Sequence, residues 1–164
     1  MAHSYDECNK KVITIKPSID TRSDLIETRA KVPPRKTDIK LEANESLFFN
    51  YESLIGTADI IMVDECQFLT PKQIDELREI TLIYNINVLC FGLRTDFNTN
   101  LFPASQRLFE LADEIIEVKT ICSVCGDHAG FSAKVEKKDT NSNIEVGWDN
   151  FTQVCWKHYK ELNS

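Results

Sequence analysis

Ile60-Ile61-Met62-Val63 is a continuous apolar run that stops at two adjacent carboxylates, Asp64 and Glu65. The run is too short for a core helix and suits a strand buried on both faces of a parallel sheet. The next residues narrow the fold further. Thr70-Pro71-Lys72-Gln73 is a helix start: Thr70 caps, Pro71 suits the first helical position, and Gln73 completes a capping box. Ile74, Leu77, Ile80 and Tyr84 then share one helical face. Asn85 to Asn87 end the helix, and Val88-Leu89-Cys90-Phe91 is a second buried strand closed by Gly92. Strand, helix and strand with short joins predict a βαβ unit, hence parallel pairing and a right-handed crossover. The expected class is α/β.

The position of the carboxylates gives them chemical interest. Ligands of open α/β sheets gather at the carboxyl ends of the strands. Successive strand side chains point to opposite faces, so Asp64 and Glu65 have different tasks. In a nucleotide enzyme one would hold Mg²⁺ while the other takes a proton or orients a nucleophile. An acidic strand end entering a loop is the competing reading, and the pair alone does not decide between them.

Elsewhere, Val12 to Ile15 predict a β-branched strand, with Asp20 and Arg22 beyond its carboxyl end. Residues 23–46 are charged and without period, which predicts a loop with at most a short strand or helix. Leu47 to Ile55 predict a short helix ended by Gly56. Leu93 to Pro103 is a loop at the ligand edge, carrying Arg94, Asp96, Phe97 and Phe102. Together with Phe68, its aromatic residues either pack or line a pocket for a flat base. Ser105 is expected to cap a helix reaching Leu111-Ala112, and Ile115 to Val118 to form a last strand.

Cys122-x-x-Cys125 and Cys155-x-x-His158 form two knuckles with two-residue spacing. Three thiols and an imidazole match tetrahedral Zn²⁺, and four protein ligands leave no place for a reacting water. The site would be structural, tying the ends of the intervening loop together. Cys90 reads as a small core residue, and His128 as solvated. The net charge of −7 argues against nucleic acid or an anionic membrane as main partner, though a small polyanion can still bind locally. No apolar run approaches the roughly 18–20 residues that span a bilayer, and the first residues lack a signal-peptide core. A cytoplasmic location is the economical expectation.

Several motifs, in order, resemble the type II thymidine kinase family, especially its bacterial branch. They are Asp20-x-Arg22, Val63-Asp64-Glu65-Cys66-Gln67-Phe68-Leu69, and Val88-Leu89-Cys90-Phe91-Gly92-Leu93-Arg94-Thr95-Asp96-Phe97. Val118-Lys119-Thr120-Ile121-Cys122 and Val154-Cys155-Trp156-Lys157-His158-Tyr159-Lys160-Glu161 come after them. The resemblance implies a P-loop-kinase-like sheet over residues 1–119 and a zinc-binding lasso domain over residues 120–164. It implies phosphoryl transfer from ATP to the 5′-hydroxyl of thymidine, with Glu65 as base and Asp64 holding Mg²⁺. Arg22 and Asp20 would lie near the transferring group, with Cys66 and Gln67 completing the nucleotide-side motif. Phe68, Phe97 and Phe102 would surround thymine, and Ser132, Gly147 and Phe151 would belong to the lasso that closes over the nucleoside. Thymidine triphosphate would be a feedback ligand and a homotetramer the expected assembly.

The sequence also departs from that family. No G-x-x-x-x-G-K-[ST] loop occurs in it, and such a loop cradles ATP phosphates. Gly147-Trp148 stands for paired glycines and Phe151 for a tyrosine, while Ser132 and Lys134 replace a threonine and an arginine. The expectation is a truncated chain with impaired ATP binding; the alternative is an inactive nucleoside-binding or interaction protein.

Overall fold

The computed structural model describes residues 2–20, 25–26, 34–134 and 151–163. Arg22 and Gly147 lie outside these residues, so their expected roles stay with the sequence. A short helix α1 (Ala2–Glu7) leads into strand β1 (Val12–Pro17). Two-residue strands β2 (Leu25–Ile26) and β3 (Arg35–Lys36) pair antiparallel, and β4 (Ile39–Leu41) comes after them. Helix α2 (Leu47–Ile55), strand β5 (Ile60–Val63), a 3₁₀ turn at Cys66–Phe68, helix α3 (Pro71–Tyr84) and strand β6 (Asn87–Cys90) come next. The longer strands form one parallel sheet in the order β4-β1-β5-β6.

The expected βαβ unit is β5-α3-β6, and the reasons are local. Every residue of β5 is buried, which is why its run carries no polar alternation. Thr70 accepts from the Gln73 amide and Gln73 from the Thr70 amide, so the capping box closes as expected. The Gln73 side-chain amide also donates to the carbonyls of Glu42 and Glu45, fastening the approach to α2. The buried carboxylate of Glu76 accepts from Leu47 N at 2.7 Å, at the positive end of α2. Ile13, Ile15, Ile39, Leu47, Ile61, Val63, Ile74, Leu77 and Ile80 make the core beneath these elements.

Three expectations need correction. Within residues 23–46, Ile39–Leu41 is a strand of the main sheet, pairing Ile15 with Ile39 and Pro17 with Leu41. Ile39 and Leu41 are buried while Lys40 is exposed, the pattern of a sheet edge. Second, helix α4 (Pro103–Leu111) starts earlier than expected, with Phe102 at its cap and Pro103 in the first position. Ser105 is buried inside it, and its hydroxyl donates to Leu93 O at 2.7 Å. Third, residues 115–118 form no strand; Ile116 is 75% and Val118 84% exposed. A β-branched run becomes a strand only where a neighbour takes its backbone groups, and no described strand pairs with this one.

The remaining chain builds a smaller unit. Strands β7 (Thr120–Ile121) and β8 (His128–Ala129) pair antiparallel, as do β9 (Phe131–Lys134) and β10 (Phe151–Val154), and helix α5 (Trp156–Leu162) closes it. Its apolar centre is small: Cys122, Ala129, Ala133, Val154 and Tyr159. Among the described residues, no helix is long and apolar enough to cross a membrane.

Candidate active site and metal centre

Strand β5 delivers Asp64 and Glu65 to the carboxyl edge of the sheet. Asp64 N donates to Ile15 O at 2.9 Å, so this residue still keeps the β1 register. Glu65 breaks it, at φ 52° and ψ 38° in the left-handed region. A non-glycine residue there costs about 1–2 kcal/mol, and such strain gathers at functional sites. The strained turn is held from two sides. Cys66 N donates to Phe91 O at 3.0 Å, and Gln67 Nε2 donates to Glu65 Oε2 at 2.7 Å. The buried Gln67 amide then accepts from Leu93 N at 3.0 Å, joining the carboxylate to the loop after β6.

Gly92 is required by close approach. A Cβ there would meet Gln67 Oε1, and would lie 2.7 Å from Cys66 Sγ. Cys66 and Cys90 fill the space beneath as free thiols in side-chain contact. The hydrogen bond with Cys90, and then burial, push the Cys66 thiol up, which makes it a packing residue rather than a nucleophile.

Burial, and next the neighbouring Glu65 charge, raise the Asp64 carboxyl above the ordinary aspartate range, while Lys16 works the other way. That lysine sits near the end of β1, is 4% exposed, and pairs with fully buried Asp20 at 2.8 Å. Lys16 is missed by sequence reasoning, where it reads only as a polar strand terminator. A buried cation among Asp20, Asp64 and Glu65 offsets some of the repulsion of gathering carboxylates, and removing one partner of such a pair costs about 3–5 kcal/mol. Asp20 is thus a buried ion-pair partner.

The expected aromatic residues fall into two groups. Phe68 and Phe102 meet edge to face, their centroids 5.8 Å apart. Phe97 instead lies 5.8 Å from Phe151, with Lys134 Nζ 5.2 Å from its centroid. Phe97 and Phe102 belong to one loop, which the Thr95–Leu101 bridge closes at its waist. Beside Phe68 a cleft of about 400 Å³ opens, lined also by Ser18, Ile19, Glu42 and Gln73. Ser132 Oγ accepts from Gln153 Nε2 across the β9-β10 pair.

The four expected metal ligands converge. The ligand atoms of Cys122, Cys125, Cys155 and His158 all lie within 4.8 Å of one another. Individual separations are 3.2 Å for Cys155 to His158, 3.5 Å for Cys122 to His158, and 3.9 Å for Cys125 to Cys155. Tetrahedral zinc with ordinary bond lengths needs edges of roughly 3.6–3.8 Å, so the donor set fits with small adjustments. All six cysteines are free, which leaves the thiols available. Burial acts to raise Cys122, but backbone amides of Cys155, Cys125 and Val124 overcome it and hold the thiol down to about 6. A pre-lowered thiol is suited to metal binding. His128, expected to be solvated, is half exposed and 3.7 Å from Glu117.

Comparison with known proteins agrees with this outline. A family profile described as Thymidine kinase matches residues 1–159. The chain belongs to the thymidine kinase family. Thymidine kinase of Enterobacteria phage T4 is 36% identical over 172 aligned positions, covering 98% of this chain and 86% of that protein. Thymidine kinase of Encephalitozoon cuniculi is 42% identical, covering 94% and 76% respectively. A third, from Streptococcus agalactiae, is 31% identical and covers 97% and 86%. In this member of the family, the Asp64-Glu65 turn lies at the parallel sheet, whereas the Cys-Cys-Cys-His cluster belongs to the smaller antiparallel unit.

Proposed function

We propose that this chain is an ATP-dependent thymidine kinase, moving the γ-phosphoryl group of ATP to the 5′-hydroxyl of thymidine. One observation carries the reading: in a chain of this family, a left-handed Glu65 stands beside a half-buried Asp64 at the carboxyl edge of a parallel sheet. Glu65 is the base. Its Oε2 is oriented by Gln67, and it takes the proton as the thymidine oxygen attacks phosphorus. Asp64 holds the divalent cation that accompanies ATP, and Arg22 provides a positive charge near the transferring group. Mg²⁺, when bound, neutralises charge on the phosphoryl oxygens. Phe68, Phe97 and Phe102 surround thymine, with Ser132, Gly147 and Phe151 in the segment that closes over it.

The carboxylate residues fit this division of labour. No glycine-rich phosphate loop occurs in residues 1–164. Residues 1–164 by themselves should therefore hold ATP weakly. Zinc at Cys122, Cys125, Cys155 and His158 is structural, since the protein fills all four positions. The two parts are proposed as domains over residues 1–119 and 120–164, acting in the cytoplasm, as a homotetramer and under feedback by thymidine triphosphate.

The test is incubation of labelled thymidine with the chain and millimolar MgATP. Slow formation of thymidine monophosphate is expected. Binding of thymidine without any product would favour an inactive nucleoside-binding relative, and neither binding nor product would overturn the assignment.

A further inference from the structure

Tyr159 joins the two parts of the molecule. It sits next to the metal ligand His158 along α5 and is 9% exposed. Its ring stacks on Trp156 with centroids 5.4 Å apart and 9° between planes, and lies 5.6 Å from Phe131. Those contacts would be satisfied equally by phenylalanine. The hydroxyl has a separate use: it donates to Phe97 O at 2.7 Å, across 62 positions of sequence.

Phe97 is not a passive anchor. Its loop is stiffened internally, because Asp96 Oδ1 accepts from Asn98 N at 2.9 Å and Asn100 N at 2.8 Å, while Asp96 N donates to Asn100 O. At its start, Leu93 N donates to Gln67, whose other end grips Glu65. A chain of hydrogen bonds and short loop segments thus runs from α5 to the carboxylate turn. A second tie, Arg94 Nη2 to Gly130 O, is longer at 3.5 Å. The Tyr159 bond is therefore the shorter of these two polar ties from the small unit to this loop.

We propose that Tyr159 is a positioning residue for the nucleoside pocket, fixing the Phe97 loop to the metal-held helix so that the pocket forms before the nucleoside arrives. The proposal rests on reading that loop as part of a thymidine site. Preorganisation of this kind acts on binding more than on the chemical step. Loss of the hydroxyl releases the loop while leaving the ring, and hence the packing of α5, in place.

The experiment uses the full chain and Tyr159→Phe. It measures zinc content, hydrogen exchange at the Asn98 and Asn100 amides, and the thymidine KM and kcat. Expected are unchanged zinc, exchange about fivefold faster, KM about fivefold higher and kcat within twofold, the size appropriate to one neutral hydrogen bond. Wild-type exchange would overturn the tie. Faster exchange with a wild-type KM would overturn the positioning role, and loss of zinc would do so by assigning the hydroxyl to the metal fold. A wild-type chain that phosphorylates no thymidine would overturn the kinase reading instead, and exchange at Asn98 and Asn100 would still decide the Tyr159–Phe97 tie.

Discussion

The sheet edge and the metal centre solve the same problem, holding reactive side chains in place, by opposite means. At the sheet edge, Asp64 and Glu65 are positioned by burial beneath them: four buried residues of β5, a capped α3 and a large apolar core. In the small unit the buried apolar centre among the described residues is five residues, two of them alanine and one, Cys122, a member of the ligand cluster. Four ligand side chains converge beside this centre, and a metal bound there would add to its stability. The first region rests on packing, while the second brings together four side chains placed to hold a metal. They should therefore fail under different insults.

Metal removal is the strongest way to separate them. Chelation, or Cys155→Ser, is expected to unfold the small unit while leaving the parallel sheet folded, because structural zinc carries about 10–16 kcal/mol in small zinc domains. Circular dichroism and metal analysis together check this, and an intact small unit without metal would erase the contrast. A smaller effect in the other region comes from Gly92→Ala. Its Cβ would press on Gln67 and Cys66, costing about 1–3 kcal/mol and disturbing the Glu65 turn without touching zinc content. Denaturant unfolding measures the loss, and a neutral result would show that the Glu65 turn yields easily. Smallest is Thr70→Ala, which opens the α3 capping box and should cost about 1 kcal/mol. Zinc affinity should not change, and a coupled loss of metal would mean that the two regions are one folding unit.

Local chemistry explains which of these features the sequence displays. The β5-α3-β6 unit is legible because the buried β5 has no polar alternation and a capping box is written within a single helical turn; β6, expected to be buried at Val88 to Phe91, instead spans Asn87–Cys90 and is only partly buried, with Phe91 exposed. The metal ligands are legible for the same reason, since each knuckle fixes its spacing over a few neighbouring positions. Lys16 is not, because a lysine in a strand is ordinarily a surface residue; only the approach of Asp20 makes its burial sensible. The three residues of β4 give too short a pattern to separate from a loop. Ser105 misleads through its preference for caps, when its partner is Leu93 O in the preceding loop. The hydroxyl of Tyr159 has no sequence signal at all, because its partner is 62 positions away. Nothing in the composition of residues 115–118 reveals their exposure either, since the run has the residues of a strand and lacks only a described neighbour.

Glu65 carries the central claim, and one substitution addresses it directly. Initial rates of thymidine phosphorylation at millimolar MgATP are compared for the unaltered chain and Glu65→Gln, which keeps the size of the side chain and the bond from Gln67 but cannot take a proton. A fall of at least about 100-fold is expected, with unchanged thermal unfolding and zinc content. A rate within a few fold of the unaltered chain would contradict the assignment of Glu65 as the base.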